Sequence, residues 1–123
     1  MEFLKMLFDK QFELQKRIIV EDTTMDKLMI SNNILDRERV SQHMILAIHA
    51  ELSELLEWTN WKMWKKTRVV YSEEQLKEIH IELIDILHFW TNLCIIWRLT
   101  PEKIKEYYEE KNKENHNRQD NKY

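Results

Sequence analysis

The chain has 123 residues, 43% of them hydrophobic, which suits one domain with a modest core. It holds no Gly and a single Pro, so sheets joined by tight hairpins are disfavoured and an all-helical fold is expected. A formal net charge of -3 gives no reason to expect nucleic-acid binding, and the lone Cys94 excludes an intramolecular disulfide framework and fits a reducing compartment.

Phe3, Leu4, Leu7, Phe8, Phe12, Leu14 and Ile18 recur at helical spacing and predict a first helix over residues 2–20, with Gln15 near its end. Its mixed Glu/Lys start is not a signal-peptide pattern. Residues 21–37 lack a clean period, and Thr23, Thr24, Ser31, Asn32 and Asn33 point to a loop or lid with an apolar patch. A loop that long in a small domain is often functional. A second helix is predicted to start between Arg37 and Ser41 and to run to about Trp58, turning Met44, Ile45, Ile48, Leu52, Leu55 and Leu56 inward. An aromatic and basic stretch follows, Trp61-Lys62-Met63-Trp64-Lys65-Lys66, and then a β-branched connector from Thr67 to Tyr71.

Ser72-Glu73-Glu74-Gln75 has the capping-box pattern and opens a helix reaching about Arg98. The apolar stretch Ile84 to Leu99 within it is interrupted by Asp85, His88, Asn92 and Arg98, which makes it too short and too polar to span a bilayer. Thr100-Pro101-Glu102 starts a last helix, expected to run to about residue 115. The polar tail from Asn115 to Tyr123 is expected to be mobile without a ligand. Together these elements predict one all-α domain spanning residues 1–123, a compact bundle of about four helices, cytoplasmic and without nucleic-acid or membrane partners. Five Trp, six Met and four Tyr fit a core or a subunit interface, or else an aromatic pocket for a flat ligand such as a nucleobase.

Two acidic motifs carry the chemistry: Glu51-Leu52-Ser53-Glu54 and Glu82-Leu83-Ile84-Asp85. Carboxylates three residues apart share a helix face. If the two helices pack antiparallel, four carboxylates converge, and they cannot all stay ionised without a counter-charge. A solvated acidic face is the plain alternative, but both motifs are embedded among aliphatic residues. Buried acids need partners, and no nearby Lys stands at helical pairing distance from all four. Mg2+ is the better account, because it prefers oxygen ligands. A di-iron site would want two E-x-x-H motifs, where the chain offers only Asp85-x-x-His88, and a zinc site would want His or Cys ligands, where Cys94 stands alone; both readings fall behind Mg2+. A carboxylate-held hard cation commonly serves phosphate substrates. Lys62, Lys65 and Lys66 one loop away, and Lys111, Lys113 and Arg118 in the tail, fit such a substrate, with the tail closing over it.

These residues resemble a family. E-x-x-E followed by E-x-x-D is the signature of the all-α nucleoside triphosphate pyrophosphohydrolases, and the chain is most similar to the dimeric dUTPases. Phe12-Glu13-Leu14-Gln15 resembles that family's base-reading segment, and Trp61-Lys62-Met63-Trp64-Lys65 its W-K-x-W-K stretch. Glu82 to Phe89 matches E-x-x-D-x-x-H-F, and Lys111 to Gln119 resembles a phosphate-binding K-N-x-x-N-x-x-R-Q. The chain departs where the family often has Asn after the Gln, here Ile18 and Ile19, and where the tail ends in Lys122-Tyr123.

The resemblance implies a Mg2+-dependent dUTP diphosphatase acting as a homodimer. Glu51, Glu54, Glu82 and Asp85 would hold the metal, and Glu51 or Glu54 would activate water. Gln15 would read the base, Trp61 or Trp64 would wall its pocket or hold the dimer, and Lys62, Lys65, Lys111, Asn115 and Arg118 would hold phosphates. His88 would contact the base, support the acids, or serve as a hydrogen-bonded core residue. The alternatives are a house-cleaning nucleotide pyrophosphatase with another base preference, or a non-enzymatic helical dimerisation module.

Overall fold

A computed structural model describes residues 1–66, 68 and 70–121. Thr67 and Val69 of the predicted connector, and Lys122 and Tyr123 of the predicted tail, lie outside the described residues. The order is α1 (Glu2–Gln15), β1 (Ile19–Val20), β2 (Thr23–Thr24), α2 (Met25–Met29), α3 (Ile34–Glu57), α4 (Glu73–Ile96) and α5 (Pro101–Asp120). The architecture is an all-α bundle with one tiny hairpin attached.

The capping signals act as predicted. Ser72 Oγ accepts from the Gln75 N–H at 3.3 Å, and Gln75 Oε1 accepts in return from the Ser72 N–H at 3.2 Å. Thr100 Oγ1 accepts from the Lys103 N–H at 3.2 Å, with Pro101 in the first helical turn where its missing N–H costs nothing. The far end of α4 is closed by Arg37, whose Nε donates to the Ile96 carbonyl at 2.8 Å. Arg98 then turns the chain with φ 58°.

The first helix is shorter than periodicity predicts. Ile18, Ile19 and Val20 are β-branched and favour extended backbone, and Ile19–Val20 pairs antiparallel with Thr23–Thr24. The two turn residues, Glu21 and Asp22, have φ 49° and 63°. That left-handed pair is usually Gly or Asn in a two-residue hairpin, so composition alone hides it.

The predicted lid at 21–37 is a second correction. It folds as the hairpin, α2 and the start of α3, and it contributes to the core. Met29 is fully buried and packs with Val40, Met44 and Ile96. The second predicted helix starts earlier than expected, at Ile34, because the Asn33 side chain accepts from the Leu35 N–H at 2.9 Å and caps it. The last helix continues to Asp120, so residues 115–120 of the predicted mobile tail are helical.

Two contacts fix the register of α3 against α4: Trp97 Nε1 donates to Ser41 Oγ at 2.9 Å, and Asn92 Nδ2 lies 3.5 Å from Met44 Sδ. The helices therefore run antiparallel, which carries the second half of α3 to the first half of α4. Helix α1 is also antiparallel to α4: Gln11 meets His88, and Lys5, nearer the start of α1, meets Glu102 at 3.4 Å in the first turn of α5, just past the end of α4. By length and composition alone, α4 is apolar enough to cross a membrane, with a mean hydropathy of 1.4 over its most apolar window. This differs from the expectation for residues 84–99, because the helix extends well N-terminal of that stretch.

Candidate metal centre

The antiparallel register brings the two acidic motifs together. One carboxylate oxygen each from Glu51, Glu82 and Asp85 lies within 4.8 Å of the others, and all three residues are half-buried. Glu54 is exposed and stands beside Glu82, and together with Glu57 and Trp58 they line a cavity of about 460 Å3.

The electrostatics are unbalanced. The Glu51 carboxyl sits at hydrogen-bonding distance from Glu82 and holds it above the ordinary carboxylate range. Partial burial and the charges of Glu51 and Asp85 push the same way, while the contact with Glu54 opposes them. Two ionised carboxylates are both acceptors and cannot satisfy each other. Accordingly Glu51 Oε2 and Glu82 Oε2 are sealed from solvent without a donor. Among the described residues no ion pair joins any of the four acids to Lys or Arg. The donor set is all oxygen, which suits Mg2+. Cys94 lies more than two turns from Asp85, and burial pushes its thiol up to about 11, so it is no thiolate ligand at neutral pH.

A basic surface adjoins the acidic one. Lys62, Lys65 and Arg68 line a cavity of about 220 Å3 with Trp61, Asn60 and Glu57, and Glu57 is common to both cavities. Trp61 and Trp64 meet edge to face at 5.8 Å, and Lys62 Nζ lies 5.3 Å from the Trp61 ring. Trp61 lines the basic cavity, whereas Trp64 is largely exposed.

Gln15 is buried on α1, and its Oε1 has no partner among the described residues. Helical register carries it one turn beyond the Gln11–His88 contact, toward the turn of α4 that holds Asp85.

The tail residues are elsewhere. Lys111, Asn115 and Arg118 lie on α5, which has no buried residue and meets the bundle mainly through α1. Lys111 and Arg118 pair with Glu114 at 3.1 and 2.7 Å. Helix α5 starts beyond Ile96, fourteen residues or roughly 21 Å along α4 from Glu82. None of the three is among the described residues that line the acidic or the basic cavity.

Sequence reading missed Trp58, Arg68 and Gln11. Trp58 stands one turn after Glu54, a spacing that places both on one face. Gln11 stands one turn before Gln15 and shares its buried face. Arg68 carried no comparable signal.

The site is an all-carboxylate cluster between two antiparallel helices of an all-α bundle, beside a basic and aromatic cavity. Residues 3–100 match the dUTPase family, and the chain belongs to it. Comparison with curated proteins and with solved structures returned no match.

Proposed function

We propose that the protein is a Mg2+-dependent dUTP diphosphatase, converting dUTP and water to dUMP and pyrophosphate. The observation that carries this reading is the Glu51–Glu82–Asp85 cluster with its two sealed, unpartnered carboxylate oxygens. Glu51, Glu82 and Asp85 hold the metal, with Glu54 completing the set from the cavity side. Bound there, Mg2+ supplies the positive charge that neutralises the triphosphate and polarises water.

The chain's own residues do the rest. A water oxygen bonds to the α-phosphorus while the bond from that phosphorus to the bridging oxygen breaks, and pyrophosphate leaves. Glu54, the most exposed of the four, takes the water's proton. Lys62 and Lys65, with Arg68 beside them, neutralise the departing phosphates. Trp61 walls the site, and Gln15, whose Oε1 has no partner among the described residues, and His88 meet the base.

The enzyme acts as one domain and as a homodimer in the cytoplasm, with neither nucleic acid nor membrane as partner. Two features support a second copy over a bilayer. Only 22% of the most apolar part of α4 is buried within the chain, leaving Ile81, Leu83, Ile84 and Trp90 exposed, yet the same helix carries Glu82 and Asp85. A dimer also offers a way for Lys111, Asn115 and Arg118 to meet a triphosphate, on the partner's site. Sedimentation without detergent should give a dimer; a monomer that requires detergent would contradict it.

The test of substrate is pyrophosphate release from each deoxynucleoside triphosphate with Mg2+. dUTP should exceed dCTP and dTTP. Equal rates would leave the chemistry standing and replace dUTP by a broad house-cleaning role, which the Ile18 and Ile19 departure would then explain.

A further inference from the structure

His88 Nδ1 lies 2.5 Å from Gln11 Oε1. Gln11 is only 3% exposed, so its side chain is not free to swing to solvent. An amide oxygen only accepts, so this contact is a hydrogen bond only when the imidazole nitrogen facing it carries the proton. A neutral imidazole has a single N–H, which leaves Nε2 with a lone pair. Among the described residues Nε2 has no protein partner, and it is not one of the sealed polar atoms. His88 lies one turn past Asp85 on the same face of α4, and Gln15 lies one turn past Gln11 on α1.

We propose that Gln11 is a positioning residue: it holds His88 in the Nδ1–H form, so that Nε2 accepts a hydrogen bond from an N–H on the edge of the substrate's base. The substrate half rests on the nucleotide reading above; the tautomer half does not. Gln11 touches no reacting atom and acts only through His88. A base that presents a ring nitrogen without a proton at that edge gains nothing from Nε2, so the pair contributes to base selection.

The experiment is nitrogen-15 correlation spectroscopy of the imidazoles in the full-length protein with Mg2+, His88 being assigned with a His88→Phe variant. His88 should show a protonated Nδ1 and an unprotonated Nε2. Gln11→Leu should lose that pattern, and Gln11→Glu, which keeps an acceptor oxygen, should retain it. In parallel, Gln11→Leu should raise KM for dUTP roughly tenfold with little change in kcat, the size expected for one lost hydrogen bond, and Gln11→Glu should recover most of it. A proton on Nε2 in the native protein, or an unchanged tautomer in Gln11→Leu, would overturn the proposal. A tautomer that shifts while KM stays fixed would overturn its substrate half. Absence of any nucleotide turnover in the native protein would overturn the proposed function and that half with it, while the spectra still decide what Gln11 does.

Discussion

Two groups of carboxylates in this protein live under opposite conditions. On α5, Glu114 sits between Lys111 and Arg118, and both cations hold its carboxyl below the ordinary range. Between α3 and α4, Glu82 faces Glu51 and Asp85 with no ion pair to Lys or Arg among the described residues, and it is held above that range. The same side chain is stabilised as an anion in one place and opposed in the other. A pre-paired acid stiffens a surface helix. An unpaired cluster, half-buried and placed by helix register, leaves a demand for positive charge that a divalent ion can meet.

The largest effect is expected at Glu54, the exposed acid of the cluster. Glu54→Gln should lower dUTP turnover by roughly 10²–10⁴-fold, the range for a lost general base, with the helical circular dichroism unchanged. Turnover within a few-fold of native would remove Glu54 from the chemistry.

The next largest effect is on stability. Met29→Ala should cost about 2–5 kcal/mol in denaturant unfolding, as expected for a fully buried Met. A negligible cost would mean that α2 is a detachable flap, as its sequence suggests, and not part of the core.

The sign of the pH dependence separates the two groups. Because Glu82 is raised in the folded state, the metal-free fold binds more protons than the unfolded chain between the ordinary and the raised value. Stability therefore falls as pH rises through that window. Thermal melts in chelator should show this fall in the native protein and a weaker one in Glu82→Gln, and Mg2+ should oppose it. An identical slope in Glu82→Gln would show that the repulsion is not there. Glu114 has the opposite sign: its contribution is present above the ordinary carboxylate value and is lost as pH falls through the depressed one.

Lys62→Ala and Lys65→Ala should each raise KM for dUTP about tenfold, the size of one charge-assisted contact. Normal KM in both would mean that the basic cavity does not hold the triphosphate. The smallest effect belongs to the paired acid. Glu114→Gln should leave the metal affinity of the acidic cluster unchanged, and a large loss by calorimetry would couple two regions that the structure separates.

Much of the fold was legible because its signals are local. Ser72 with Gln75, and Thr100 with Pro101, mark helix starts through bonds made within one turn. The apolar spacing of α3 and α4 marks their length. The hairpin was not legible, since Glu21 and Asp22 take left-handed backbone that sequence assigns to Gly or Asn. Nor was α2, whose five residues are too few to show a period. The tail read as disordered because its residues are polar, yet Lys111, Glu114 and Arg118 support one another at helical spacing. In the candidate site, spacing put each acid pair on one face, but the meeting of Glu51 with Glu82 depends on antiparallel register. The Gln11–His88 contact joins residues 77 apart in sequence, and no local pattern announces it.

If the α3–α4 acids hold a divalent cation for a nucleotide, the two ligands bind together. Calorimetric titration of the full-length protein with a non-hydrolysable dUTP analogue, with and without Mg2+, tests it most directly. Binding should require Mg2+ and be lost in Glu82→Gln. Binding that is equally strong in chelator, or no binding under either condition, would contradict it.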